Sequence, residues 1–354
     1  MDIHALLRET QRAHASDLHL LAGAPPSLRV HGGIRALDYP ALDAMTCDGL
    51  VRSMLNDDQA TTLAQQWQLC FTYIPRDENG QLLGHFRVSV HLREGVAEAA
   101  IRVTPSRART LHELGISPTI GDLALKDSGL LLITGPTGHG KTTTMNALIH
   151  HMATRTRRKI ITIEDPVEYR HPHGQSLLVQ LEVGSDVHSF GAALRHALRE
   201  DPDVICIGEM RDLETISTAL LAAETGHLVL ATLHTPSAIG TINRIIDVFP
   251  ANAQPQVRIQ LAGALTAVIS QRLLPRADGR GRCLAAELLI CNDAVRTHIR
   301  EEKMHLTANV LATSRSLGMQ RLEDHLRVHL EAGTISRQVA ESAANDPRVL
   351  ADLL

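Results

Sequence analysis

The stretch GPTGHGKT, residues 135–142, fits G-x-x-x-x-G-K-[ST], a loop pattern that cradles phosphate. Gly135, Gly138 and Gly140 let the backbone turn tightly, so that successive N–H groups face one anionic centre. Pro136, Thr137 and His139 complete the loop. Lys141 brings a point charge for terminal phosphates, its head group expected to be solvated. The Thr142 hydroxyl, with Thr143 behind it, is placed to ligate Mg²⁺. Before the loop, Leu130, Leu131, Leu132 and Ile133 form an apolar run suited to a buried parallel strand. After it, Met145, Leu148, Ile149 and Met152 recur at helical spacing. Strand, glycine loop and helix together aim a helix N-terminus at a phosphate, which an ordinary Gly-rich turn does not.

The 354 residues suffice for about two domains at ~150 residues each. With one Trp, three Tyr and four Phe, their cores must be aliphatic. The net charge is −4 and neither half carries a large basic block, so nothing calls for nucleic acid as a partner. Cys47, Cys70, Cys206, Cys283 and Cys291 form no C-x-x-C pair, and the start, MDIHALLRET, lacks the pattern of an export signal. Both features point to reduced thiols in the cytoplasm. No apolar run approaches the ~20 residues of a membrane span, so a membrane role is expected only through a partner.

Residues 1–104 read as a separate α+β domain. ASDLHL (15–20) begins a strand, Asp57 to Gln66 reads as a helix, and 69–74 and 82–90 read as strands around the turn signal DENG (77–80). Val96 to Val103 is a further strand, closed by Pro105. Asp17 and His19 would share one strand face, where surface or turn bonding is the plainer reading than a metal. Residues 105–118 read as a linker. From 119 to 290 strands at 130–134, 159–163, 204–207 and 227–233 alternate with helices, which implies a mostly parallel sheet covered on both faces. The basic run RTRRK (155–159) is expected to end the helix after the loop, where cations suit a helix C-terminus. Residues 291–354 read as helical, with Leu322, Leu326 and Leu330 spaced by four and Gly333 as a stop.

In a parallel α/β sheet, ligands sit at the carboxyl ends of strands. IITIEDPVE (160–168) leads into Glu164, Asp165 and Glu168; DVICIGEMRD (203–212) leads into Glu209; HLVLATLHT (227–235) ends in His234. Each alone could be a polar strand terminus. Together with the loop they describe a nucleotide-hydrolysing site. If one strand joins them, seven steps put His227 ~23 Å from His234, so the two cannot share a metal ion or a phosphate.

At this point the chain resembles the secretion ATPase superfamily of type II and type IV systems, above all PilT-type twitching-motility ATPases, which retract type IV pili. The resemblance rests on ASDLHL, IRVTPSRARTLHELG (101–115), the loop, ITIEDPVEY (161–169), ALRHALREDPDVICIGEMRDLETI (193–216), ETGHLVLATLHT (224–235), AVRTHIRE (294–301) and LGMQRLEDHL (317–326). It implies an α/β fold with a RecA-like P-loop ATPase core, a smaller PAS-like domain before it and a helical tail after it. It implies a homohexamer that hydrolyses ATP with Mg²⁺, on the cytoplasmic face of the inner membrane, docked on a pilus platform protein. Glu209 would polarise the attacking water, with Lys141, Glu168 and His234 beside it and Arg87 and Arg102 approaching from the N-terminal domain. Glu164, Asp165 and His227 join the loop as nucleotide-binding candidates. Thr142 would hold Mg²⁺ directly, and Glu164, Asp165 and Glu209 through water.

The chain departs from the family in places. His139 stands where Ser is usual, FRVSVHLREG lacks an aromatic near position 91 and is one residue short, and Thr297 and His298 replace Asn and Leu in the tail motif. It also lacks the longer N-terminus and four-cysteine motif of the assembly ATPases. The alternatives are an ATPase of a conjugation or type IVB secretion system and, from another class, a small-molecule kinase. Lys141→Ala is expected to abolish ATP turnover. A phosphate-release assay at saturating ATP checks it, and parent-rate hydrolysis would exclude the loop as the site.

Overall fold

A computed structural model of the chain describes every residue except His31, Glu78, Pro105, Ser106 and Leu354. It divides into two compact units: Met1–Arg107 with Pro166–Arg170, and Ala108–Asp165 with His171–Leu354.

The first unit is one antiparallel sheet with helices. Its strands are β1 (Asp17–Leu20), β2 (Ser27–Val30), β3 (Gly33–Ala36), β4 (Gln68–Tyr73), β5 (Phe86–Arg93) and β6 (Val96–Val103), in the order β3-β2-β1-β6-β5-β4. Its helices are α1 (Ile3–Arg12), α2 (Ala44–Arg52) and α3 (Asp57–Gln66). Phe86, Val88 and Val90 of β5 and Ala97, Ala99 and Ile101 of β6 alternate onto one face, against Leu6 and Leu7 of α1, Val51 of α2 and Leu63 of α3. Arg87 and Arg102 stand directly opposite each other across β5 and β6, out of phase with those core residues. The helices start on side chains that accept orphan amides: Asp2 for α1, Asp43 for α2, and an Asn56–Gln59 capping box for α3.

The hairpin expected around DENG forms, with β4 and β5 paired antiparallel from Gln68 opposite His91 to Tyr73 opposite Phe86. The second strand begins at Phe86 rather than residue 82, and the bridge between Arg76 and Leu82 continues the pairing towards the turn. Gln11 of α1 donates to the Leu83 carbonyl at 2.7 Å, while the Leu83 N–H donates to the Pro75 carbonyl at 2.9 Å. Glu78 of that turn and Pro105 after β6 lie outside the described residues.

The second unit is a seven-stranded sheet. Its strands are β7 (Gly129–Thr134), β8 (Lys159–Glu164), β9 (Leu177–Glu182), β10 (Val204–Ile207), β11 (Leu228–Leu233), β12 (Leu265–Pro275) and β13 (Arg282–Ile290). The order is β13-β12-β7-β11-β10-β8-β9, all parallel except the β12–β13 hairpin. All six residues of β7 are buried. Leu130 and Leu132 face a core with α6 (Phe190–Ala197), α7 (Leu213–Glu224), α8 (Ala238–Asp247), α9 (Gln254–Ala264) and α10 (Asp293–Arg300). Leu131 and Ile133 face the other core, with α4 (Pro118–Leu123) and α5 (Lys141–Ala153). A short helix α11 (Thr307–Thr313) follows, and then α12 (Leu322–Glu331), α13 (Arg337–Ala343) and α14 (Pro347–Leu353) pack Leu322, Leu326, Ala340 and Leu350 on Leu274 and Ala285 of the hairpin. Gly333, at φ 64°, follows the end of α12.

The basic run 155–159 lies beyond α5, which stops at Ala153. Arg158 donates instead to the carbonyls of Leu125 (2.9 Å) and Lys126 (2.8 Å), the last turn of the α4 segment. Arg158 thus caps a neighbouring turn, while Arg155 meets Thr154, the C-cap of α5, at 3.4 Å.

Glu98, only 1% exposed, accepts from Arg93 Nε and the Ala22 N–H, both at 2.9 Å. The Arg93 hydrogen bond, working against burial, holds this carboxyl below its ordinary value. A lowered folded-state pKa contributes stability above the unfolded value of about 4.3, lost as pH falls through the folded value. Glu98→Gln is therefore expected to cost about 1–3 kcal/mol at neutral pH and progressively less in acid. Denaturant melts of parent and variant across that range check it.

Candidate active site

The parallel register brings four strand ends level. Thr134 pairs with Leu233, Ile207 with both Ile163 and Ala231, so the residues that follow each strand share one rim. Residues 135–140 turn there with positive φ at Gly135 (141°), Gly138 (78°) and Gly140 (83°). At Gly135 a Cβ would stand 2.3 Å from the Gln271 carbonyl oxygen, so a side chain cannot enter. Helix α5 starts with no side-chain cap, which leaves its first amides for an anion.

Lys141 corrects the expectation of a solvated head group: it is 8% exposed. Its Nζ donates to the carbonyls of Gly135 (2.8 Å) and Pro136 (3.0 Å) and lies 3.3 Å from His234 Nδ1. Burial, partly offset by Glu209, lowers its pKa. An ammonium has no lone pair to accept with, so His234 Nδ1 is the acceptor and its Nε2 carries the proton. That Nε2–H meets Glu209 Oε1 at 2.7 Å. Lys141, His234 and Glu209 thus form one hydrogen-bonded chain from the loop to the candidate base. Thr137 Oγ1 stands 3.3 Å from the same His234 nitrogen.

Glu209 also accepts from Arg211. Burial raises its pKa, but the hydrogen bonds of Arg211 and then His234 outweigh it, and the net shift is downward. The carboxylate is therefore charged at neutral pH and a weaker base than a free one. Opening its pair with Arg211 would restore basicity. The residue before it is Gly208, where a Cβ would lie 3.1 Å from the Ile163 carbonyl and 3.3 Å from Glu164 Cα, so a side chain there would need the β8 backbone to give by a few tenths of an ångström.

Glu164 is buried at the end of β8 and accepts from Thr162 Oγ1 (2.6 Å) and Gln180 Nε2 (3.1 Å). Gln180 takes the His171 N–H at 2.8 Å, and His171 Nε2 donates to Asn146 Oδ1 of α5 at 2.8 Å. Burial pushes the His171 imidazole down to about 3, so it stays neutral. Asp165 and Thr143 are exposed and Thr142 half-buried on the rim. Among the described residues no three His, Cys, Asp or Glu converge as a metal cluster. The donors present suit Mg²⁺, which needs few protein ligands beyond phosphate and water.

The sequence candidates do not all converge. His227 lies at the opposite end of β11, beside Gly129, with its Nδ1 3.0 Å from the Ala222 carbonyl; within one chain it finishes α7 and does not meet the loop. Glu168, Arg87 and Arg102 belong to the first unit. There burial raises the Glu168 carboxyl against the pull of Arg87 and Arg102. Arg102 Nε donates to Asp17 Oδ1 at 2.9 Å, and Asp17 also accepts from Ser16 at 2.8 Å, which favours the bonding reading of Asp17 over a metal. Sequence reasoning passed over Asn146, His171, Gln180, Gln271 and Arg282, and placed Arg211 after Glu209 at the strand end without giving it a role. Gln271 had a signal: a polar residue inside the apolar run LTAVISQRLL.

With this geometry in view, the comparisons with known proteins agree. Residues 74–285 match the family model for type II/IV secretion system proteins. The chain belongs to this family. It is 42% identical over 348 residues to the type IV pilus retraction ATPase PilT of Pseudomonas aeruginosa, covering 98% of this chain and 99% of that protein. A crystal structure of the pilus retraction motor PilT with bound ADP superposes with a TM-score of 0.93 at 43% identity, covering 99% of each chain. The Legionella pneumophila ATPase DotB is more distant, at a TM-score of 0.79 and 27% identity over 95% of this chain and 93% of that one.

Glu209→Gln is expected to keep nucleotide affinity and lose turnover by about 100-fold or more, because the amide cannot accept a proton. His234→Ala should fall between parent and Glu209→Gln, and the double variant should be no worse than Glu209→Gln alone. Steady-state rates and nucleotide titrations of the three variants test the chain. Additive losses would show that the two side chains act separately.

Proposed function

We propose that this chain is an ATP-hydrolysing motor that drives retraction of a type IV pilus. The observation that carries the reading is the Lys141–His234–Glu209 chain at the level strand ends, in a fold that matches a retraction motor over 99% of its length. A conjugation or secretion ATPase is the second reading, supported by the match to the type II/IV secretion system family model.

In the proposed reaction the loop amides and Lys141 bind the β and γ phosphates of ATP, and Glu209 orients the attacking water and receives its proton. Mg²⁺ supplies charge neutralisation on the phosphates when bound, with Thr142 as the direct ligand and Glu164, Asp165 and Glu209 holding its waters. His234 reports the state of the γ-phosphate to Glu209, since it touches both the loop lysine and the base. Phosphoryl transfer draws most of its rate from such positioning and charge stabilisation. We assign residues 1–104 the role of the PAS-like domain, 119–290 that of the RecA-like core and 291–354 that of the helical tail, joined by 105–118. Arg87, Arg102 and Glu168 complete the site as the domains close within a homohexamer. Among the described residues no helix is long and apolar enough to cross a membrane. We place the motor on the cytoplasmic face of the inner membrane, through a pilus platform protein.

In cells lacking their own retraction motor, the chain is expected to restore twitching, and Arg87→Ala and Arg102→Ala to diminish it. The purified arginine variants should bind nucleotide like the parent while turnover falls about tenfold or more, the mark of an interaction made in the reacting state. Affinity falling in step with rate would make the two arginines simple binding residues. ATPase activity without any restored motility would favour the secretion reading.

A further inference from the structure

The β12–β13 hairpin reaches the loop through three hydrogen bonds. Gln271 Nε2 donates to the His139 carbonyl (2.7 Å), the Leu273 N–H donates to His139 Nδ1 (3.1 Å), and Arg282 Nη1 donates to the Gly138 carbonyl (3.1 Å). In a trans peptide the carbonyl of one residue and the N–H of the next point in opposite directions. By holding the Gly138 and His139 carbonyls, the hairpin turns the N–H groups of His139 and Gly140 away from itself. The His139 amide accordingly faces the Pro136 carbonyl at 3.4 Å, the same oxygen that Lys141 Nζ approaches.

We propose that Gln271, Arg282 and His139 are positioning residues that aim the loop amides at the nucleotide phosphates, and that His139 does so only as a neutral imidazole. The inference rests on the nucleotide-site reading above. Gln271 is 1% exposed, and its Oε1 has no hydrogen-bond partner among the described residues. Burying an amide for one bond costs stability that a leucine would not, so packing does not explain it. His139 Nδ1 accepts from a backbone N–H, which places its proton on Nε2. The charged groups that face it are all cations: Arg272 on β12, Arg282 on β13 and Lys141 on α5. Burial first, then these cations, holds its pKa below the ordinary histidine value. The tie to Leu273 is therefore intact at neutral pH and is lost as pH falls through the lowered value, when a proton on Nδ1 confronts the Leu273 N–H.

The test is titration of the purified full-length chain with a fluorescent ADP analogue, from about pH 8 to about pH 5, alongside thermal melts. Gln271→Leu and Arg282→Ala should each weaken binding about 5- to 10-fold, the effect of one hydrogen bond to a group that then goes unpaired. Gln271→Leu should melt no earlier than the parent, and Arg282→Lys should recover most of the affinity. Parent affinity should drop in acid, and His139→Ser, which carries the residue usual in the family, should lose that drop. If Lys141→Ala loses binding while the hairpin variants bind like the parent, the positioning role is wrong and the nucleotide site stands. If Lys141→Ala also binds like the parent, both are wrong. Affinity that rises in acid would show the imidazolium attracting phosphate directly and would overturn the role given to His139. Should Gln271→Leu fail to fold, the Arg282 pair decides, because that side chain is exposed.

Discussion

Everything at the site depends on the level register of parallel strands β7, β11, β10 and β8. Slipping one strand by a single residue would turn its buried side chains to the opposite face, and both faces here are packed. The packing of Leu130 and Leu132 against one core and Leu131 and Ile133 against the other therefore sets where Thr134, Leu233, Ile207 and Glu164 end. Chemistry is placed by aliphatic side chains that never touch it. With so few aromatics, this precision comes from many small interlocking branched residues.

The buried lysine shows how the loop is kept in order. A charge taken from water needs compensation, and Lys141 finds it in two loop carbonyls and an imidazole rather than in a carboxylate. Glu209 then receives the other side of that imidazole, so positive and negative groups are separated by one neutral ring. A direct Lys141–Glu209 pair would neutralise both. The intervening His234 leaves the lysine able to meet phosphate and the carboxylate able to meet water.

Much of this was legible beforehand because it follows from local rules. The apolar run 130–133, the glycine loop and the helical spacing of Met145, Leu148 and Met152 specify strand, turn and helix by chemistry that acts over a few residues. The strand-end residues Glu164, Glu209 and His234 were readable for the same reason. What escaped depends on partners far apart in sequence. Gln271 meets His139 across 132 residues, and Asn146 meets His171 across 25. Strand β12 was passed over although Asp278-Gly279 marks its turn, because Ser270, Gln271 and Arg272 interrupt its apolar run without a regular alternation. His227 has the composition of a site residue, and strand geometry already set it at the far end of β11 from His234, where the structure places it. At the 77–80 hairpin the pairing of β4 with β5 was legible, and only the start of the second strand was placed four residues early.

The division of the chain has a consequence for how this protein can be taken apart. Pro166–Arg170 groups with the first unit, although it follows β8 directly and the chain returns to the second unit at His171. The covalent thread therefore passes between the units at three points, not one. Cutting the gene between residues 107 and 108 would leave the N-terminal fragment without five of its own residues, including the Val167 carbonyl that accepts from Thr72 at 3.3 Å. It would also leave the other fragment carrying an unpartnered insertion immediately after Glu164 and Asp165. The two units are not interchangeable modules, and an exchange with a relative would have to transplant both stretches together.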